Sequence, residues 1–360
     1  MHSEPVTNTL RAILFGIGFL FAVACAPFAA AGVTRGIAEA DMRTAYDCPD
    51  LTRDESACAL AHYEQLARDV DARTAMHALA NDARVSGDIL GCHPMAHAIG
   101  RVAASRYASA GEAFAAGDPY CWSGYYHGVI EGTMRGIKKE AFTKELLDDI
   151  CADLAFSARS GVGAVASCAH GLGHALRYAY TGDLPSALDA CDRLSSDHQA
   201  RNCATGAYME ELTGRNSANT EHFSKSSAAR NPDRFCNNAP ERLRESCFTI
   251  FPDLLLMTMP LAEVFASCDI LAPADASICT RGIGKNLTMR NGYDDAANLA
   301  ACMSAFTDTR RAECAEGVAR DMIGFFGDAD RALKYCSMFN PAIAERCVAD
   351  ASYVAGAGTP

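Results

Sequence analysis

The sequence predicts an all-α fold, an α-solenoid of helical-hairpin repeats with a period of about 34 residues that is stapled by disulfides. The first observation is that the cysteines come in couples. From Cys191 onward, the two members of each couple are separated by 12, 11, 11, 12 and 11 residues. The second observation is the step between couples, whose second members, from Cys168 to Cys347, advance by 35, 44, 32, 35 and 33 residues. A step near 34 residues is typical of arrays of helical hairpins.

The third observation is that the segments around the couples are alike. Three segments have the pattern of a short amphipathic helix whose last residue is a cysteine: 184–191, 261–268 and 331–336. A polar linker of about ten residues follows, and the second cysteine then begins a second helix. A glycine stands three residues after that cysteine, as in 203–206 and 279–282. Glycine lowers helix propensity by about 1 kcal/mol, so its repeated use inside a helix predicts a close approach to the partner helix.

The hairpin geometry predicts which cysteines pair. A cysteine near the end of one helix and another near the start of the next can come within about 6 Å, as a disulfide requires. Each short closed loop then contributes about 2–3 kcal/mol of stability. Cys92 and Cys121 lack a partner in the preceding short helix, so by elimination they pair with each other. The predicted bridges are Cys48 to Cys58, Cys92 to Cys121, Cys151 to Cys168, Cys191 to Cys203, Cys236 to Cys247, Cys268 to Cys279, Cys302 to Cys314, and Cys336 to Cys347.

In period and hairpin layout, residues 45–355 resemble the tetratricopeptide and Sel1-like class of helical repeats. The chain departs from that class because the tetratricopeptide signature residues are missing and the cysteine couples are its own addition. The resemblance implies an α-solenoid fold and no particular activity. Within the array, residues 33–215 hold the candidate site, and residues 216–355 continue it as a scaffold.

The first 31 residues differ from the rest. A positive flank precedes the apolar run 12–24, and small residues follow up to Ala31. This pattern predicts a secretory signal peptide cut near Ala31. The alternatives are an uncleaved membrane anchor over residues 12–32, long enough to span a bilayer, and a lipid-modified Cys25. All three place residues 33–360 in the periplasm or outside the cell, and the many cysteines support export.

Charge excludes one class of partner. The chain of 360 residues has a formal net charge of −12 and no cluster of lysine and arginine. Nucleic-acid binding requires a basic face, so we expect no nucleic-acid partner. A membrane contact is expected only through an uncleaved N-terminal segment.

Three pairs of potential metal ligands, each spaced by four residues, follow cysteines in the first half of the chain. Residues four apart share one face of a helix. The same unit, Cys-x2-Gly-x2-His, occurs at 121–127 and at 168–174, and its final histidine belongs to one of the pairs in each case. We therefore predict that the six side chains converge from consecutive hairpins on a metal, with Glu210 as the next candidate. The six are His93, His97, His127, Glu131, His170 and His174.

The types of ligand restrict which metals are expected. Neutral imidazole is the commonest protein ligand, and a set rich in imidazole and carboxylate suits iron, zinc, copper or manganese rather than calcium. Pairs on neighbouring helices can surround one or two ions. The sequence thus indicates an exported metalloprotein, with a metal-dependent oxidoreductase or hydrolase as the functional hypothesis. Whether the metal catalyses a reaction stays open.

Two alternatives for the histidines also stay open. They can be structural, hydrogen-bonded to buried partners, in a periplasmic or surface scaffold whose solenoid face binds a protein or peptide. They can also be acid–base groups in a pocket for an organic ligand. The chain has no zinc-protease motif, haem-attachment motif, nucleophile elbow or phosphate loop. The unpaired histidines are expected to be surface or packing residues: His62, His77, His198 and His222.

Overall fold

The computed structural model describes residues 53–82, 89–152, 161–213 and 235–357, and these residues form sixteen α-helices, two short 3-10 helices and no strand. They all fall within one compact unit, residues 46–360. The α-helices are α1 (Arg53–Asp69), α2 (Ala72–Asn81), α3 (Ile89–Arg106), α4 (Ala110–Ala115), α5 (Gly124–Met134), α6 (Lys144–Ile150), α7 (Gly161–Ala179), α8 (Leu184–Asp192), α9 (Asp197–Thr213), α10 (Arg244–Leu256), α11 (Leu261–Asp269), α12 (Pro273–Arg290), α13 (Asp295–Met303), α14 (Asp308–Phe326), α15 (Ala329–Cys336) and α16 (Pro341–Ala357).

Local sequence explains where many of these helices begin and end. Asp71, Thr143, Thr307 and Asp328 each accept a hydrogen bond from a backbone N–H in the first turn of the helix that follows. Such caps satisfy donors that have no partner inside the helix. Helix α14 ends at Phe326, and the next residue, Gly327, caps it with a φ of 65°, which glycine adopts without steric cost. The predicted all-α class is confirmed.

The longer helices contact one another in chain order. The order is α1, α3, α5, α7, α9, α10, α12, α14 and α16. Six shorter helices each contact the longer helix before and after them; these are α2, α4, α8, α11, α13 and α15. This alternation agrees with the hairpins expected from the sequence, whereas the regular solenoid and its 34-residue period stay a prediction.

Seven of the eight predicted disulfides are confirmed. They join the residues of each expected pair, including Cys92 with Cys121, at Cα–Cα distances of 5.4 to 5.9 Å. All the cysteines in these seven bridges are buried. Cys58 is also disulfide-bonded, and its predicted partner Cys48 lies outside the described residues.

Helical glycines allow the longer helices to pack closely. A Cβ atom at Gly206 would collide with the carbonyl oxygen of His170, and one at Gly317 with that of Arg281. Gly282 meets the backbone of Thr249 in the same way. These glycines stand three residues after the second cysteine of a couple, so the predicted close approach is confirmed.

One contact was not expected from a simple row of hairpins. Helix α7 also packs against α14, although more than a hundred residues separate them. The second half of the chain therefore supports the helix that carries two of the candidate ligands.

The N-terminal predictions concern residues outside the described ranges. The signal peptide or anchor over residues 1–31, the span 12–32 and Cys25 all lie there. Among the residues that the structure describes, no helix has the length and apolar character needed to cross a bilayer.

Two glycines of α14 provide a matched test of the close packing. Gly317→Ala places a methyl group against the backbone at Arg281, whereas a Cβ at Gly324 has nothing within 4 Å. We expect Gly317→Ala to lower the free energy of unfolding by about 1–3 kcal/mol, because overpacking forces the helices apart. Gly324→Ala should raise it by about 0.5–1 kcal/mol through helix propensity.

Urea denaturation of both variants with their disulfides intact measures the difference. If the two substitutions changed the free energy of unfolding equally, the result would contradict the close packing of α14 against α12.

Candidate metal centre

Five histidine rings from three helices lie against one another in the interior. His93 and His97 come from α3, His127 from α5, and His170 and His174 from α7. Neighbouring rings are 4.5 to 5.5 Å apart between centroids. All except the partly buried His93 are at most 6% exposed. The structure thus brings together all five predicted histidines, which we call the histidine cluster.

Close backbone contacts set the spacing of these helices. A side chain at Gly128 would collide with the carbonyl oxygen of His97, and one at Gly206 with that of His170. The disulfide between Cys92 and Cys121 joins the start of α3 to the residues before α5. The helices therefore approach closely where they carry imidazoles.

Acceptors outside the histidine cluster fix the Nδ1 atoms of the α3 pair. His93 Nδ1 lies 2.7 Å from the carbonyl oxygen of Cys121, and His97 Nδ1 lies 2.8 Å from Oε1 of Glu131. Arg101 donates to the other carboxylate oxygen of Glu131 at 2.8 Å. Because a carbonyl and a carboxylate only accept, each Nδ1 carries the hydrogen and each Nε2 keeps the lone pair when the ring is neutral.

A strained turn presents the carbonyl group of Cys121. Cys121, Trp122 and Ser123 all have φ values between 56° and 59°. Residues other than glycine rarely adopt this left-handed region, and each such residue costs roughly 1–3 kcal/mol. The surrounding structure, including the disulfide at Cys121, holds the turn in place.

The α7 pair has the same arrangement. His174 Nδ1 lies 2.6 Å from Oε1 of Glu210. His170 Nδ1 lies 2.9 Å from the Thr205 hydroxyl, which donates its own hydrogen to the Asn202 carbonyl oxygen. The hydroxyl must therefore accept from His170, so both α7 imidazoles carry hydrogen on Nδ1. A partner of this kind on the far nitrogen is typical of metal-binding histidines.

Two ring nitrogens face each other without a hydrogen between them. His93 Nε2 and His97 Nε2 are 3.0 Å apart, and both carry lone pairs in the tautomers just derived. Two nitrogens bound to one ion at about 2.0–2.1 Å, with an angle of 90–110°, lie roughly 2.8–3.4 Å apart. The pair thus has the separation expected of two ligands of one transition metal.

His127 lies between the two pairs. Both of its ring nitrogens are buried, and neither has a hydrogen-bond partner among the described residues. Buried polar atoms normally have a partner, and leaving one without costs about 1–3 kcal/mol. The Nε2 atom of His174 is buried and unpartnered as well. Because a neutral imidazole has a single lone pair, one cation would satisfy His174 Nε2 and one nitrogen of His127. The other nitrogen of His127 could bind a second cation only after the ring loses its proton.

The donor atoms form three groups that can hold a metal ion. In each group the donor atoms lie within 4.8 Å of one another, and His127 belongs to two groups. The groups are His93, His97 and His127; His127, His170 and His174; and Glu131, His174 and Glu210. The residues therefore fit a cation held by imidazole and carboxylate, and the identity of that cation is not fixed by the geometry.

Burial keeps the imidazoles neutral, as metal ligands must be. It lowers the pKa of His93 and His127 well below 6.5, and neighbouring imidazoles lower both further. Burial also lowers the pKa of His97 and His170, despite the opposing charge of Glu131 beside His97. Burial alone would raise the pKa of Glu131, but His97 and Arg101 outweigh it and hold the pKa below its ordinary value. The carboxylate is therefore ionised.

A pocket of about 120 Å³ opens beside the histidine cluster. His174, Glu131 and Glu210 line it, together with Arg101 and Arg177. One water molecule needs roughly 10–15 Å³, so the pocket has room for a small organic molecule. It gives such a molecule access to the carboxylate side of the candidate metal centre.

Sequence reasoning named every residue of the three groups, including Glu210, but missed the residues that support them. Arg101 and Arg177 stand one helical turn beyond His97 and His174, a spacing that places each pair on one face. That spacing was the signal in the sequence from which the two arginines could have been predicted. Thr205 has no comparable signal, because its role depends on where α9 lies against α7.

The remaining histidines lie outside these groups. His62 is partly buried, and His77 and His198 are exposed. His222 lies outside the described residues. Of the aromatic residues near the cluster, Trp122 and Tyr125 are buried, while Tyr178 is 52% exposed and lines the pocket.

The second half of the chain also reaches the histidine cluster. The charge of Lys285 on α12 contributes to the lowered pKa of His170, after burial and His174. The guanidinium of Arg290 lies 5.6 Å from the centre of the Trp122 ring. Residues 216–355, predicted as scaffold, therefore also shape the electrostatics around the site.

Comparison with family models, with curated proteins and with solved structures finds no match for this chain. The resemblance to tetratricopeptide and Sel1-like repeats stays a prediction. The arguments about function consequently rest on the geometry of the site.

Acid should destabilise the metal-free protein in a defined pH range. Four histidines of the cluster have lowered pKa values and stay neutral in the fold, whereas in the unfolded chain they bind protons below about pH 6.5. The free energy of unfolding is thus greatest above pH 6.5 and falls as the pH drops below it, by up to ~1.4 kcal/mol per pH unit for each group. The four are His93, His97, His127 and His170.

Urea denaturation between pH 7.5 and pH 5 measures this dependence, because most carboxylates titrate only below that range. Asp321, whose pKa burial raises to about 7, contributes a single group of opposite sign, so the four histidines still set the direction of the slope. His77→Ala, which changes an exposed histidine, should leave the slope unchanged. A stability that does not vary across the range contradicts the buried neutral cluster.

Proposed function

We propose that the protein is an exported metalloprotein that holds two transition-metal ions in the histidine cluster and acts as a metal-dependent oxidoreductase or hydrolase. The observation that carries the proposal is His127, whose two buried nitrogens lack a partner while it belongs to two of the ligand groups. Once metal binding has released its remaining ring proton to solvent, the His127 imidazolate can offer one nitrogen to each ion. Each ion then draws on a pair of imidazoles from one neighbouring helix, α3 or α7.

The donor set supports iron, zinc, copper or manganese. Imidazole with carboxylate suits these ions, whereas calcium prefers oxygen ligands alone. Thiolate ligation has no support among the described residues, because every described cysteine is disulfide-bonded. The bridges also indicate an oxidising, exported environment. We propose that a signal peptide directs this export and is cleaved near Ala31.

The pocket supports catalysis over simple storage of metal. It reaches His174, Glu131 and Glu210, so a small molecule can approach the metal centre from that side. A metal ion at such a place can polarise a substrate, activate bound water or exchange electrons. The proposed α-solenoid, with its resemblance to Sel1-like repeats, serves as the rigid frame that positions the ligands.

Structural histidines on a scaffold are the alternative. Structural imidazoles would be expected to pair their buried nitrogens with protein groups. His127 does not do so, and the facing Nε2 atoms of His93 and His97 share no hydrogen in their derived tautomers. A protein or peptide partner on the solenoid face therefore has less support than a metal.

Elemental analysis of protein purified from the exported fraction tests the proposal. We expect about two transition-metal ions per chain, each bound by imidazoles at the usual 2.0–2.1 Å. His127→Leu should lose most of the metal because it removes a ligand from both groups, and His77→Ala should keep it. Wild-type protein without stoichiometric metal, and without stabilisation by added metal, contradicts the proposal.

The stability of His127→Leu distinguishes a metal-binding role of His127 from a structural one. In metal-free protein, His127→Leu removes two unpartnered polar atoms of a buried residue, so the free energy of unfolding should stay equal or rise by about 1 kcal/mol. Added metal should raise the melting temperature of the wild type only. A clear loss of stability in the metal-free variant indicates a structural role instead.

A further inference from the structure

The pocket beside the histidine cluster contains a cation that is only partly satisfied. Arg177 on α7 is 3% exposed and lines the pocket. Its Nη2 donates to Oε2 of Glu211, but its Nε and Nη1 are buried without a hydrogen-bond partner among the described residues. Donors on a buried charged group are costly to leave unpaired. Their natural partner is an anionic oxygen.

The acidic residues of the pocket already accept hydrogen bonds from neighbouring side chains. Glu131 binds His97 and Arg101, and Glu210 binds His174. The exposed Arg135 adds another positive charge to the lining. An anion entering the pocket therefore meets three arginines and two carboxylates that have partners.

The position of Arg177 relative to the metal ligands sets the orientation of a bound molecule. Arg177 and His174 are three residues apart in α7 and so lie on one face of that helix. A molecule whose anionic group binds Arg177 would present its neighbouring atoms to the side lined by His174 and Glu210. Bound metal ions would add positive charge there and strengthen the preference for an anion.

We propose that this pocket binds a small molecule with a carboxylate or phosphate group, which Arg177 holds beside the metal centre as the substrate of the enzyme. This inference rests on the proposed function, because it names the class of substrate for the same site. The guanidinium geometry suits both oxyanions. The size of the pocket, about 120 Å³, restricts the substrate to a small molecule.

Titration calorimetry on the purified protein with its native metal tests the assignment, using acetate, acetamide and inorganic phosphate as probes. We expect acetate or phosphate to bind and neutral acetamide, which has the shape of acetate, not to bind. Arg177→Gln should raise the Kd of the anion about 10- to 100-fold, as expected for lost hydrogen bonds to a charged group. Arg177→Lys should raise it less, because the charge stays.

A matched control comes from another arginine. Arg320→Gln breaks the pair that Arg320 of α14 forms with Asp350, outside the pocket, and should leave the Kd unchanged. Binding of acetate but not phosphate assigns a carboxylate substrate, and the reverse assigns a phosphate. The assignment is overturned if the metal-loaded wild type binds neither anion, or if Arg177→Gln binds as well as the wild type.

Two further readouts separate the possible failures. Circular dichroism shows whether Arg177→Gln folds, and if it does not, Arg177→Lys and the acetate–acetamide comparison decide the question. Metal analysis of each sample shows whether the metal centre is present. Wild-type protein without metal contradicts the proposed function, whereas full metal content without anion binding contradicts only the substrate assignment.

Discussion

The interior is organised by one electrostatic constraint. Four imidazoles give their Nδ1 hydrogens to acceptors outside the histidine cluster, the Cys121 carbonyl, Glu131, the Thr205 hydroxyl and Glu210. The Nε2 atom of each of these four rings therefore carries a lone pair and no hydrogen. His127 lies between the two pairs, and neither of its ring nitrogens has a hydrogen-bond partner among the described residues. Lone pairs held this close repel one another unless a cation or a proton lies among them. Burial disfavours the proton, so a metal ion is the partner that the arrangement fits.

Holding these groups together lowers the stability of the fold, and other features of the fold offset this loss. The buried ring nitrogens of His127 and His174 that lack partners and the left-handed residues from Cys121 to Ser123 are each unfavourable. Buried disulfides between successive helices offset such costs, since each short loop contributes about 2–3 kcal/mol. Helical glycines remove the side chains that would keep α3, α5, α7 and α9 apart. A rigid, cross-linked frame is what a preorganised metal site requires.

The cysteine couples, the short and long helices, and the ligand pairs at four-residue spacing could all be predicted from the sequence, because each is local in the chain. The contact of α7 with α14 could not, since it depends on how successive hairpins turn in space. Arg177 was missed for a related reason: its significance comes from burial and from the pocket, which only tertiary packing creates. Glu210 was a weak candidate in the sequence and gained its role from the 2.6 Å contact with His174.

The most direct test of the account is anomalous X-ray diffraction from crystals of the exported protein, recorded at the absorption edge of the metal it contains. The account predicts one peak about 2.0–2.2 Å from the Nε2 atoms of His93 and His97, and a second among His127, His170 and His174. Rings that hydrogen-bond to ordered water or to one another, with no anomalous density between them, would contradict it.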